Sequence, residues 1–380
     1  MDRVIEPLYA VYDILDKARE ERGALDLDLP ERQIIVNEQG EMTGVKKRNR
    51  LDAHKLIEEM MILANVATAL ALEDKKAPCL YRVHDRPDGE KLDSVRGFIE
   101  GLGLSFPKGQ VVQPENLNRL LKTAKSKGEE DGIGLGQLVS QVVLRCQSQA
   151  VYSPDNNGHF GLALRHYAHF TSPIRRYADL FVHRSLIKAY GFGEGHLSDE
   201  EASRAAEIAD LISGTERRSM EAERSAVDRF TASYLAEQEG ATFTGRISGV
   251  TRFGLFVTLD ENGADGIIPM RSLKDDYYYH DEKAHALVGK RKKAVYRLCA
   301  PVTVKVVEAD GMTGSVMLEI VGKPGAEVPG FQDPFKSRRR PPSDKPFRKG
   351  GYKGKKKPEQ GFKPKKKKQT TPKHKRKKQK

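Results

Sequence analysis

The chain has 380 residues and a formal net charge of +13, with 38% hydrophobic and 31% charged residues. That length allows roughly two or three domains, and the low apolar content implies that part of the chain joins no core. There is no run of about 18 apolar residues to span a membrane, and the start MDRVIEPLYAVYDILDK has no apolar stretch of the secretory kind.

The charge is unevenly placed. From Val321 onward, 23 Lys and Arg stand against 4 Asp and Glu, a surplus of 19. Taking 19 from 13 leaves −6 for the first 320 residues. A nucleic-acid site in the body must therefore be a local groove. Cys79, Cys146 and Cys299 lie far apart without metal-ligand spacing. They read as core thiols of a reducing, cytoplasmic compartment.

In chain order, Leu8 to Arg22 has helix-forming composition and stops at Gly23. Ile34 to Val36 reads as a strand and Asn37 to Gly40 as a turn. Asp52 is placed to cap a helix whose apolar stripe is Leu56, Ile57, Met60, Leu63, Ala64, Ala67 and Leu70. Glu58 and Glu59 fall early in it, and one of them must lie near the stripe and need a partner. The plain alternative is a solvated glutamate favoured by the helix dipole. Further on come a strand at Leu80 to Asp85, helices at Val95 to Leu102 and Asn116 to Lys127, a loop to Gly136, and a helix at Leu138 to Ala150.

The stretch His159 to Leu186 reads HFGLALRHYAHFTSPIRRYADLFVHRSL. Ser172 suits an N-cap and Pro173 the first helical position. Arg175 and Arg176 then fall in the first turn, where cations oppose the dipole by roughly 0.3–1 kcal/mol each. The arrangement makes sense if a phosphate docks there, held by N–H groups, dipole and guanidinium groups together. The competing reading pairs the arginines with a local carboxylate such as Asp179. His166 and His169 could share a face, but spacing supplies no third metal ligand. Tyr167 and Phe170 fit either a stacking channel for RNA or a core.

Ser198 to Glu201 is a capping box. It opens a helical region to about Ala236, with Ser213-Gly214-Thr215 a place to break or kink. From Gly240 the pattern changes to five short alternating segments over about 80 residues, as an OB-type barrel requires. Arg252, Phe253 and Phe256 together make a base-stacking platform, with one phenylalanine expected in the barrel core. From Gly322 onward the chain is Pro, Gly, Lys and Arg with few aliphatic residues, which predicts a disordered tail that binds phosphate without reading sequence.

TSPIRRYADLFVHR, with HFGLALRHYAHF, REERGALDLDLPE and DAHKLIEEMMILAN, resembles the ribonuclease II/ribonuclease R (RNB) family of processive 3′-to-5′ exoribonucleases, on its ribonuclease R side. GRISGVTRFGLFVTL resembles an S1-type RNA-binding domain, and DDYYYHDEKAHALVGKRKKAVYRL follows the same pattern. One departure is Pro269, where S1-type domains often carry a histidine. The resemblance implies an α+β fold class. A mostly helical second half of an RNB-type catalytic domain (residues 1–237) would be followed by a five-stranded OB-type, S1-like barrel (238–322) and a basic tail (323–380).

The resemblance also implies roles. Arg175 would stabilise charge on the scissile phosphate, Arg176 would hold the RNA backbone, and Glu58 would position the 3′-terminal nucleotide. Glu216, Arg252, Phe253 and Phe256 would contact RNA, and Tyr167 would join them on the stacking reading given above. The family implies Mg²⁺ held by clustered aspartates from the first half of its catalytic domain. Asp26 with Asp28, and Asp275 with Asp276, do not resemble that cluster. The expectation is a chain that binds single-stranded 3′ ends and structured RNA. It would cut them only with a complementary N-terminal chain, and the ribosome is a further expected partner. The rival expectation is a non-catalytic RNA-binding or ribosome-associated protein.

Overall fold

The computed structural model describes residues 2–27, 31–48, 51–109, 111–131, 135–282, 284–292 and 294–322. Asp28 and the tail expected at 323–380 lie outside the described residues.

The first part is mostly helical. In chain order it runs α1 (Asp2–Glu21), β1 (Glu31–Val36), β2 (Met42–Arg48), α2 (Asp52–Asp74), β3 (Tyr81–Val83), α3 (Gly89–Gly101), α4 (Pro114–Asp131), α5 (Leu135–Cys146), β4 (Val151–Ser153), α6 (Tyr177–Tyr190), α7 (Asp199–Ser203) and α8 (Ala205–Ala236). Two antiparallel ribbons occur here, β1 with β2 and β3 with β4. One apolar core joins α3, α4 and α5 through Ile99, Leu117 and Val139, all 0% exposed. Another gathers Leu80, Tyr152, Phe181, Leu197 and Ala209 beneath α6 and α8. Phe181, 1% exposed, adds roughly 1.5–3 kcal/mol of burial there.

Helix α2 is rotated from its expected face. Leu56, Ile62, Ala69 and Leu72 are buried along with Glu59, Asn65 and Thr68, whereas Ile57, Leu63 and Leu70 are exposed. Apolar periodicity misses this because two polar side chains are satisfied from within. Arg19 donates to Glu59 at 2.8 Å, and Asn65 bonds to Phe170 N–H and the Tyr167 hydroxyl. The cap is Leu51 rather than Asp52.

Helix α6 also starts later than expected. Ser172 and Pro173 belong to a turn in which the N–H groups of Arg175 and Arg176 donate to Ser172 O. Arg176, extended at φ −125°, is the N-cap. Helix α8 is continuous through Ser213-Gly214-Thr215, and the capping box at Ser198 and Glu201 starts the separate short α7. The Ser213 and Thr215 hydroxyls bond back to Ala209 O and Ile212 O, which keeps them in the helix without breaking it.

The second part is a closed barrel. Its strands are β5 (Thr242–Thr251), β6 (Gly254–Leu259), β7 (Asp265–Pro269), then β11 (Pro301–Asp310) and β12 (Ser315–Ile320), in the order β11-β12-β7-β6-β5. Between β7 and β11 a separate three-stranded sheet inserts, β8 (Tyr278–Asp281), β9 (Ala286–Gly289) and β10 (Val295–Arg297). The alternating run from Tyr296 to Asp310 is thus divided between two strands, broken at Cys299 with φ +61°. The barrel packs on the helical part. Leu298 and Cys299 enter the core of α3 to α5, and Phe98 meets His285 edge-on at 4.9 Å. All three cysteines are buried and free.

Candidate nucleic-acid interface

The turn before α6 carries the two arginines and treats them differently. Asp179, 0% exposed and third in α6, accepts the Ser172 N–H at 2.7 Å and an Arg176 guanidinium N–H at 2.8 Å. A carboxylate there complements the helix dipole. Arg176 therefore follows the ion-pair reading. Arg175 does not: it is exposed and makes no side-chain ion pair or hydrogen bond among the described residues. Ile174 beside it is fully exposed. Exposed cation and exposed aliphatic group form the tip of the turn.

Behind the tip lies a ladder of uncharged rings. The Tyr152 hydroxyl and His169 Nδ1 are 2.9 Å apart. Ring contacts then run from His169 to Tyr167, to His159 and to His84, with centroids 5.0–5.7 Å apart. Burial, and then the neighbouring cations Arg176 and Arg82, push the His169 imidazole down to about 3. Burial, then His84 and Arg82, do the same for His159. Both rings are neutral at pH 7. Burial pushes the Tyr152 phenol up to about 12. The rings carry no negative charge of their own, and the carboxylates Asp179 and Glu216 beside them are paired with Arg176 and Arg82.

Arg82 on β3 is the residue that sequence reasoning passed over. Its guanidinium lies 4.7 Å over the Tyr152 ring and grips both Glu216 oxygens, at 2.6 and 3.1 Å. An arginine in the middle of the apolar strand LYRVHD was the signal available. Glu216 is accordingly held by Arg82. Tyr167 is 8% exposed, its hydroxyl accepting from Asn65 at 3.1 Å, so it forms part of the wall and lays no open face to a base.

Asn65 of α2 bonds to the Tyr167 hydroxyl and the Phe170 N–H, so the helix that carries Glu58 borders the central stretch that carries Tyr167, Arg175 and Arg176. Glu58 also lines a cleft of about 320 Å³ with Arg19, Lys55, Asn118 and Lys122.

On the barrel, Phe253 is 66% and Phe256 39% exposed, and the Arg252 guanidinium lies 4.7 Å over the Phe253 ring. Neither phenylalanine enters the barrel core, which is filled by Ile247, Leu255, Val257, Leu259 and Ile268. The expectation that one of them would do so is corrected: β6 turns Leu255 and Val257 inward and Phe256 outward. Tyr277, 67% exposed, adds a second ring beneath the Arg291 guanidinium. Pro269 caps a short 3₁₀ turn, Met270–Ser272.

Among the described residues no group of three or more His, Cys, Asp or Glu gathers as a cation site. His166 contacts Glu73 at 2.5 Å and Asn156 at 3.0 Å, while His169 is taken by Tyr152.

Residues 1–191 match the RNB domain model. The chain belongs to the RNB family. Residues 237–320 match the S1 RNA binding domain. The chain is similar to ribonuclease R of Aquifex aeolicus, 42% identical over 84% of this chain and 45% of that protein. It is similar to ribonuclease R of Escherichia coli, 38% identical over 80% of this chain and 37% of that protein. In three dimensions it resembles Mycoplasma genitalium RNase R in complex with ribose-methylated single-stranded RNA, with a TM-score of 0.77 and 30% identity over 84% of this chain and 49% of that one. The chain thus spans less than half the length of these RNB relatives. The mixed α/β architecture and the OB-like barrel are those of the family. RNB nucleases depend on metal, and the described residues of this member do not assemble a site for one. Among the described residues no helix is long and apolar enough to cross a membrane.

Proposed function

We propose that this chain is the RNA-gripping part of a ribonuclease R-like 3′-to-5′ exoribonuclease. Residues 1–237 would form part of its catalytic domain, 238–322 its S1-type domain and 323–380 a basic tail. The observation that carries this is the contrast between the two arginines. Arg176 is neutralised by buried Asp179, while Arg175 is left exposed beside the fully exposed Ile174, with no ion pair among the described residues. An exposed guanidinium that no carboxylate neutralises can stabilise charge developing on a phosphate.

In this reading Arg175 contacts the scissile phosphate. Arg176, fixed by Asp179, shapes the turn that presents Arg175 and steadies the RNA backbone. Glu58 holds the terminal nucleotide, as a carboxylate can by accepting from ribose hydroxyls. Arg252, Phe253 and Phe256 stack bases on the barrel, at roughly 1–3 kcal/mol per base. The tail adds phosphate attraction. Single-stranded RNA complexed by a relative of the same fold supports RNA as the ligand. Phosphodiester hydrolysis by metal-activated water needs carboxylates that the described residues do not assemble. This chain by itself therefore binds RNA without cutting it.

The test is an RNA degradation assay with Mg²⁺, using this chain alone and then with a polypeptide carrying the remainder of a ribonuclease R catalytic domain. Cleavage is expected only in the second arm, where Arg175→Ala should lower the rate far more than RNA affinity. Robust cleavage by the chain alone, or equal loss of rate and affinity, overturns the assignment. The second reading, a purely RNA-binding protein, predicts no cleavage in either arm. The lack of a metal-holding cluster among the described residues is what favours it.

A further inference from the structure

Helix α6 has a second furnished end. Its last residue, Tyr190, stacks on Phe192 with centroids 5.5 Å apart and planes inclined by only 16°. Both rings face water, Tyr190 41% and Phe192 70% exposed. Lys75 Nζ, from the end of α2, sits 4.9 Å over the Tyr190 ring. The Tyr190 edge ties α6 to α2, while the Phe192 face, the more exposed of the two rings, is left open to water.

The pair is also held in place. The Tyr190 hydroxyl donates to Ala71 O at 3.4 Å. Gly191, at φ +67°, turns the chain out of the helix, and the Phe192 N–H then closes on Ile187 O at 3.0 Å. Little ordering remains to be done when a flat ligand arrives.

We propose that Tyr190, Phe192 and Lys75 form a second stacking site for single-stranded RNA, separate from the barrel platform. The chemistry is that of the two exposed platforms already described, Arg252 over Phe253 and Arg291 over Tyr277. The cation–ring pairs inside the protein, such as Arg82 with Tyr152, are buried. Within the segment Gly191 to Gly195 the only apolar side chain is Phe192, and the ammonium of Lys75 over the adjoining ring favours an anionic, flat ligand. A base can lie on the Phe192 ring while the Lys75 ammonium meets its phosphate. The 14 residues of α6 rise about 21 Å, so this site lies roughly that far from Arg175 and would hold a different stretch of RNA. The proposal does not depend on which group contacts the scissile phosphate.

The test uses the full chain and fluorescein-labelled oligouridylate, followed by anisotropy, with 5-iodouridine cross-linking and peptide mapping alongside. Phe192→Leu keeps an apolar side chain but removes the aromatic face. It should raise Kd about fivefold or more and abolish cross-links to the Tyr190–Phe192 peptide, at an unchanged melting temperature. Phe192→Trp should restore both. Lys75→Met should weaken binding and make its salt dependence shallower by about 0.7 in logarithmic slope. Wild-type binding with cross-links confined to the barrel, or Phe192→Leu binding equally well, overturns this proposal alone. Loss in Phe192→Ser but not in Phe192→Leu would indicate a generic apolar contact and also overturn it. A wild-type chain that binds no RNA sinks the proposed function as well.

Discussion

Asp179→Ala tests whether the turn before α6 is held by one buried carboxylate. The wild-type side chain is completely buried and accepts from Ser172 N–H and from Arg176. Removing one partner of a buried ion pair costs about 3–5 kcal/mol, because the other charge is left without compensation. The Arg176 side chain keeps 20% exposure and can recover some hydration, which points to the lower end. The stranded Ser172 N–H adds about 1 kcal/mol or more. A total near 4 kcal/mol is a large part of the roughly 5–15 kcal/mol that holds a domain together. Urea denaturation followed by far-ultraviolet circular dichroism measures it. Asp179→Asn, which keeps an acceptor for Ser172, should lose less. Arg176→Met should partly rescue Asp179→Ala, since it removes the uncompensated charge. A loss under 0.5 kcal/mol in Asp179→Ala, or strict additivity with Arg176→Met, would refute this account.

Three other outcomes are expected. His159 and His169 are held down to about 3 by burial first, whereas an unfolded imidazole titrates near 6.5. The unfolded chain therefore takes up these protons first. Stability should be level above about pH 6.5 and fall as pH drops from there toward 3, by roughly 2 kcal/mol per ring at pH 5. Urea midpoints at pH 7, 6 and 5 check this, and a flat profile contradicts it. Gly254 has φ +153°, and a Cβ on it would fall 2.1 Å from Ile268 O. Gly254→Ala should thus destabilise the barrel by about 2 kcal/mol or more, seen in the near-ultraviolet signal of its tyrosines. Deleting 323–380 should weaken RNA affinity mainly at low salt; an equal loss at 50 and 300 mM would show that the tail does more than attract phosphate.

The barrel was legible because its signals are local. Strands β5, β6 and β7 alternate inward and outward, with turn residues between them, and sequence reads that directly. The insert β8 to β10 was not legible, since its strands are three or four residues long and pair only with one another. The face of α2 was misread for a different reason. Glu59 and Asn65 are buried by partners 40 and 105 residues away, and no periodicity within the helix reports a distant arginine. The same holds at the interface. Arg175 and Arg176 stood out as neighbours in sequence, yet only the position of Asp179 shows which of them is neutralised. Glu216, expected to contact RNA, is gripped by Arg82, 134 residues earlier in the chain.

That pattern of pairing shows how a body of charge −6 can still leave a few cations unpaired, as the proposed RNA site requires. Arg19 pairs with Glu59, Arg82 with Glu216, Arg176 with Asp179 and Arg184 with Glu201. These arginines act as structural clamps and add little to the outer field. Arg175 and Arg252 make no ion pair among the described residues, and each stands beside exposed apolar or aromatic groups, Ile174 and Phe253. Among the described residues neither guanidinium is held by a carboxylate at ion-pair distance, so a phosphate would not have to displace one. Attraction is thus confined to a few points. Under the proposed function that confinement would hold RNA in one path, since a uniformly basic surface would bind it in many.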